Sequence, residues 1–239
     1  MIGRLALVAA LLVALLVALL LVACKGGDKG GDSLSTLEEA LKAMVLAEED
    51  LSEGLLVGEA TLNDNEKASG GSEERAGLLE EWGRQLGYDV AYVQGSGQVA
   101  EPAVKGINVS ASLYRTVAGA TASFADAVKS AEETDWAANY AGLSGFMQEE
   151  IDGGGRADEI GWLRFSGFQP ADAAEEALVT DDLIYFRIGR ERGFLRVLSS
   201  STETTDRGYL HETVEGWLDA LLEKVEDALS AGGFDEDEG

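Results

Sequence analysis

Asp182-Leu183-Ile184-Tyr185-Phe186-Arg187-Ile188, the segment from Gly189 to Gly193, and Phe194-Leu195-Arg196-Val197-Leu198-Ser199-Ser200 form the stretch on which the fold turns. Two runs rich in apolar and aromatic residues flank a short segment bounded by glycines, which is the pattern of a β-hairpin. A long amphipathic helix follows. Leu210, Val214, Trp217, Leu218, Leu221, Val225 and Leu229 recur at helical spacing, with acidic residues on the opposite face. A hairpin followed by such a helix implies a sheet that buries one face under helices.

Working outward, Glu159 to Phe168 reads as a further strand, and the glycine-rich Asp152 to Arg156 as a loop. Ala120 to Tyr140 reads as a helix with Phe124, Val128 and Ala131 inward. Tyr88 to Gln94 and Ile107 to Thr116 alternate as strands and are expected to pair, joined by a turn-rich loop from Gly95 to Gly106 that contains Pro102. Glu73 to Leu86 carries the stripe Leu78, Leu79, Trp82 and Leu86, and Gly87 is its expected stop. Asn63 to Ser72 reads as a loop and Leu55 to Leu62 as a strand. Ser35 to Leu51 forms the first helix, with Leu37, Leu41, Met44 and Val45 on one face. Strands come in neighbouring pairs without strict β-α-β alternation. The expected fold is therefore α+β, an antiparallel sheet of about six strands with about three to four packed helices.

The N-terminal end is of another kind. Arg4 precedes an uncharged run of Leu, Val and Ala from Leu5 to Val22, and Ala23 and Cys24 follow. A charged start, an apolar run and a small residue at the break describe an export signal; an 18-residue run also has about the length of a membrane-spanning helix, an uncleaved anchor, and Cys24 favours the signal. Leu21-Val22-Ala23-Cys24 resembles the lipobox of bacterial lipoproteins. That resemblance implies lipid attachment to the Cys24 thiol and cleavage between Ala23 and Cys24 by signal peptidase II. The implied organisation is a signal peptide over residues 1–23, a lipidated cysteine with a Gly-rich tether over 24–35, one extracytoplasmic domain over 36–230 and a disordered acidic tail over 231–239. The mature chain is then anchored on the outer face of the cell membrane or outer membrane.

The chain has 18 basic and 44 acidic residues among 239, a net charge of −26. Such a surface repels phosphate, so nucleic acid is excluded as a partner, and it gains nothing from anionic lipid. The tether Cys24 to Ser35 spans ~20 Å r.m.s. as a flexible chain, well beyond the ~8 Å Debye length at physiological salt. Cys24 is the single cysteine, so no disulfide forms within the chain. A domain of this size buries enough apolar surface without one.

Within the domain, Glu49-Asp50-Leu51-Ser52-Glu53-Gly54-Leu55, Trp82-Gly83-Arg84-Gln85-Leu86-Gly87-Tyr88, and Ala157-Asp158-Glu159 taken with Phe186-Arg187-Ile188-Gly189 resemble junctions of small exported lipoproteins. Ser52 and Leu55 stand where those proteins carry a proline and an aromatic residue. The resemblance implies a sheet-and-helix sandwich like the PsbP-like and LpqN-like lipoproteins or the extracellular sensor domain of the PknH kinase. It implies no reaction.

The residues themselves argue against catalysis. His211 is the single histidine, so a Ser-His-Asp triad would have to use it. It opens the last helix near Glu212 and Glu215 and reads as a surface histidine paired with a carboxylate. Gly142-Leu143-Ser144-Gly145 falls short of a nucleophile elbow, and Gly153-Gly154-Gly155 lacks the Lys of a phosphate loop. A zinc or copper site lacks ligands. Asn63-Asp64-Asn65-Glu66 and Asp181-Asp182 are the nearest approaches to calcium ligands, without the EF-hand pattern. Glu149-Glu150 and Asp158-Glu159 are adjacent acids, which point in different directions on a strand. Asn108-Val109-Ser110 matches a glycosylation sequon by chance. Trp82, Trp136, Trp162 and Trp217 are expected in core packing, or in part lining a groove. The reading is a non-enzymatic binding or interaction domain without a cofactor. Its partners would be the membrane through the lipid, and another envelope protein or an apolar small molecule. The rival readings are a carrier with an apolar cavity under the helices and, last, a carboxylate-dependent hydrolase.

Overall fold

A computed structural model describes residues 33–95, 103–169, 177–201 and 207–234. The expected signal peptide, Ala23, Cys24, nearly all of the expected tether and residues 235–239 lie outside the described residues. The elements run α1 (Leu34–Ala43), a 3-10 turn (Glu48–Asp50), β1 (Leu55–Asn63), α2 (Asn65–Ala68), α3 (Glu73–Glu81), β2 (Arg84–Gln94), β3 (Ala103–Tyr114), α4 (Val117–Glu133), α5 (Trp136–Asn139), β4 (Ser144–Ile151), β5 (Glu159–Gln169), β6 (Ala177–Ile188), β7 (Glu191–Ser201) and α6 (Arg207–Gly232). The strands form one seven-stranded antiparallel sheet in the order β1-β2-β3-β7-β6-β5-β4. The fold is α+β, as the sequence implies.

The two faces differ. On one face Val90, Val109, Leu195, Ile184 and Trp162 stand in a row across neighbouring strands. They pack with α1 and α6 into the main core. Every residue of the α6 stripe from Leu210 to Leu229 is buried. The other face carries α4, which lies over β3, β7 and β6 and buries Ala120, Phe124, Ala127 and Ala131. Beyond it, Trp136 packs on Phe165 with ring centroids 4.6 Å apart. Trp162 and Trp217 are buried, and Trp82 and Trp136 are half-buried.

Several expected boundaries move. A seventh strand, β4, was not foreseen; it is an edge strand with both faces largely exposed, so its sequence lacks the apolar alternation that marks a half-buried strand. The helix expected over 120–140 ends at Glu133, because Thr134 is extended and Asp135 caps a separate short helix through Ala138 N. The helix expected over 73–86 ends at Glu81, and Arg84 already belongs to β2. Its buried guanidinium holds the strand start in place, donating to Asn63 O at 3.1 Å, Asn65 Oδ1 at 3.2 Å and Ser112 Oγ at 3.3 Å. The first helix starts at Leu34 and stops at Ala43, though Met44 and Val45 are buried as expected. Ala103 to Gly106, read as loop, begins β3.

The domain also continues past residue 230. Phe234 is buried at 2 % exposure, where a disordered tail was expected from 231. Gly233, at φ +68°, turns the chain back. Phe234 N then donates to Leu229 O at 2.9 Å and Gly233 N to Ser230 O at 3.3 Å. This is a Schellman cap, and Phe234 and Leu229 both belong to the main core. The Arg190 guanidinium lies 4.6 Å above the Phe234 ring.

The hairpin turn is tighter than read: Gly189 and Arg190 alone connect β6 to β7. Arg187 anchors it, reaching Asp158 Oδ2 at 2.9 Å, Glu159, and Gly189 O at 2.8 Å, while Gly189 N donates to the same Asp158 oxygen. Asp158 and Glu159 thus clamp one arginine. Glu191 and Gly193 are strand residues facing the core. Gly193 is required there because a Cβ would fall 2.0 Å from Phe186 Cζ.

Glu191 is fully buried, and neither carboxyl oxygen has a hydrogen-bond partner of good geometry. Its cross-strand neighbours on the two sides are Leu113 and Ile188. Burial pushes its carboxyl well above the ordinary 4.5, with Arg192 and the Ser112 amide pulling weakly the other way. The folded state therefore keeps a proton that the unfolded chain releases, and stability falls as pH rises above ~4.5 toward the folded value. Glu191→Gln removes this dependence. Urea unfolding across pH 4 to 8 is expected to show the variant gaining on the parent as pH rises, by at least ~1 kcal/mol at pH 8. A stability difference that stays constant with pH would place the carboxyl in contact with water.

Candidate binding groove

α4 lies mainly over β3, β7 and β6, and β1 keeps Glu59 exposed and Thr61 half-buried on the second face of the sheet. A β-bulge at Gly58 sets what this face presents. Val57 pairs with Tyr92, but Glu59 pairs with Ala91. The extra residue turns Glu59, Thr61 and Asn63 to the open face, beside Asp89 and Ala91. Two rows then cross the sheet: Thr61-Asp89-Ser110-Phe194 and Glu59-Ala91-Asn108-Arg196. Four strands at ~4.8 Å spacing make each row roughly 14 Å long.

Between these rows lies a groove of about 470 Å³, lined among others by Glu59, Thr61, Asp89, Asn108, Ser110 and Phe194. Its size is that of small-molecule sites. Small side chains at Ala91 and Ser110 leave the floor low. Lys67 stands at the rim on α2, a turn whose start is fixed by Asp64 accepting from Lys67 N at 2.8 Å. Asn63 donates to Asp89 and orients its carboxylate. The walls hold the Asp89 carboxyl above the usual carboxylate range, against the pull of Asn63, Arg84 and Arg192. Phe194 is half-buried and packs against Tyr185 at 5.0 Å. Arg196 turns away from the groove toward buried Asp181, with Nη2 2.7 Å and Nε 3.0 Å from its oxygens. Asp181 also accepts from Tyr140 Oη at 2.6 Å.

The remaining sequence candidates separate. Asp181 and Asp182 point to opposite faces. Asp182 is buried and accepts from Trp162 Nε1 and Arg164 Nε, both at 2.7 Å; burial raises its pKa while Arg164 and Trp162 lower it. His211 is half-buried against the Trp162 ring at 5.3 Å. Its Nε2 is 3.8 Å from Glu215 Oε2 and its Nδ1 is 3.4 Å from Arg164 Nη2; the neighbouring carboxylate is the expected one, but the ring packs on Trp162 instead of standing at the surface. Glu149 and Glu150 lie on opposite faces of β4. Asn63, Asp64 and Asn65 bond Asp89, the α2 start and Arg84 instead of converging on one point. Among the described residues no group of three or more His, Cys, Asp or Glu is arranged to hold a metal, and no helix is long and apolar enough to cross a membrane.

Glu59, Asp89 and Phe194 were not singled out from sequence. Asn108 and Ser110 were, as a sequon, and the signal lay in their spacing: residues i and i+2 of a strand share a face.

No family model matches the sequence, and no curated protein matches it at a significant level. Among solved structures it is similar to the extracellular domain of PknH from Mycobacterium tuberculosis. The sequence identity is 11 %, the TM-score is 0.45, and the match covers 81 % of this chain and 96 % of that one.

Proposed function

We propose that this chain is a lipid-anchored, non-enzymatic binding domain displayed outside the cytoplasm, with the open groove on the sheet as its ligand site. The groove carries the reading: 470 Å³ on a rigid antiparallel sheet, with hydrogen-bonding side chains around a half-buried aromatic ring. Sites built on strands hold such side chains in place better than sites on loops. His211 and Glu215 lie on the opposite side of the sheet, so the groove has no histidine base. Anchoring through Cys24 and the tether sets the domain off the bilayer.

The test is capture of envelope components. Wild-type protein and Ala91→Trp, which fills the groove floor, are incubated with detergent-solubilised envelope extract, and retained molecules are identified by mass spectrometry. The expected result is a molecule retained by the wild type and lost by the variant. Equal retention by both would move the binding site elsewhere. Chemical turnover of the retained molecule by the purified protein would make it an enzyme.

Carriage of an apolar molecule has one observation in its favour. A second cleft of about 390 Å³ lies between α4 and β4–β5, where Val128, Ala131 and Leu163 meet Tyr185, with Glu132 and Glu150 also among its lining residues. Retention of a lipid by both the wild type and Ala91→Trp would support that cleft over the groove.

A further inference from the structure

Resting on the groove as the ligand site, we propose that its ligand is a neutral polyhydroxylated chain, a glycan segment. The donors and acceptors argue for it. Glu59 and Asp89 present carboxylate oxygens, Asn108 an amide with both donor and acceptor, Ser110 and Thr61 hydroxyls, and Lys67 an ammonium. The lining is mixed: two carboxylates, one ammonium, and neutral amide and hydroxyl groups. Sugar hydroxyls donate and accept at once, so such a mixture satisfies both of their roles.

Other ligand classes meet opposition. Phosphate and other anions face Glu59 and Asp89. A cation faces the Lys67 ammonium, and among the described residues no three acids converge to hold a metal ion. An apolar molecule would strip water from two carboxylates, an amide and two hydroxyls without replacing their hydrogen bonds. The ring of Phe194 adds the apolar element that a sugar needs. An aromatic face carries negative charge density, which attracts the outward C–H groups of a pyranose. The groove lies along the open sheet, a shape that accommodates a segment of a longer chain.

The test uses the full chain in polyoxyethylene-ether micelles, which contribute no sugar. Maltohexaose, cellohexaose, chitohexaose and mannohexaose serve as neutral probes and spermine as the cationic one. Calorimetry reads affinity, and amide chemical shifts locate the site. The expected result is saturable binding of at least one hexaose, with shifts at Asn108 and Ser110. Asn108→Ala and Asp89→Asn are each expected to weaken it by about tenfold or more. Both residues are exposed, so the variants keep the fold, which circular dichroism verifies. No hexaose binding, or binding unchanged in both variants, overturns the proposal. Spermine binding in the groove without any hexaose also overturns it, while leaving the groove as a ligand site. Loss of the groove reading itself would show in the Ala91→Trp capture, independently of these probes.

Discussion

Cys24→Ala is expected to leave the protein without lipid and with its N-terminal signal uncleaved by signal peptidase II. On the proposed lipoprotein reading Cys24 is both the thiol to be acylated and the residue before which the peptidase would cut, and it is the single cysteine of the sequence. The size of the effect follows from the anchor. One acyl chain binds a bilayer marginally, while two give stable attachment at ~0.8 kcal/mol per buried methylene. The net charge of −26 adds no attraction to anionic lipid, so on the proposed reading the lipid would carry nearly all membrane attachment. Intact mass spectrometry of the native protein checks the premise. A mature N-terminus at Cys24 carrying a diacylglyceryl mass is expected. A free thiol with residues 1–23 still attached would show an uncleaved apolar segment instead.

What the sequence revealed of the fold depended on whether a segment buries one clear face. α6 buries a continuous stripe, so its period was readable from Leu210 to Leu229. β7 alternates in burial along its whole length, β6 is buried on both faces over Thr180–Ile184 because α4 covers its second face, and the two expected pairings, β2 with β3 and β6 with β7, are both present. β4 buries little on either side and left no period to read. The sequence pattern suggests a wider hairpin turn than the structure has because Glu191 and Gly193, two poor strand formers, occupy core-facing positions. Gly193 is there to admit the Phe186 ring, and Glu191 is a carboxyl at an apolar register position, which the alternation with Leu195 and Val197 could have exposed.

The groove was harder to see for a different reason. It depends on sheet order. β7 lies between β3 and β6, which brings Phe194 beside Ser110 although they are distant in sequence. The Gly58 bulge decides which side Glu59 and Thr61 face. Strand order is not written in a local pattern, and the one local mark of the bulge is Gly58 inside an apolar strand run. Each row of the groove draws on strands from both halves of the chain, so its polar residues look like scattered surface positions until the sheet is assembled.

Trp217→Ala is expected to cost ~3–5 kcal/mol of stability, the range for removing a large buried aromatic. Trp217 is 6 % exposed and belongs to the main core with Val214, Leu218, Leu221 and Val225 of the same helix. Neighbouring strands fix one wall of that space and α1 limits movement of α6, so the cavity cannot collapse freely and the cost stays high. Domains hold only ~5–15 kcal/mol in total, so the loss is a large share. For a domain of this size it corresponds to a fall in melting temperature of roughly 6–20 °C. Trp82 differs in being half-buried, with the Arg75 guanidinium 5.2 Å from its ring, and its replacement by alanine should cost less. Glu223→Ala, on the exposed side of α6, should move stability by no more than ~0.5 kcal/mol. Thermal and urea unfolding followed by circular dichroism compare the three. If Trp217→Ala melts with the parent, the ring does not support the core, and α6 would have to present it as a contact surface.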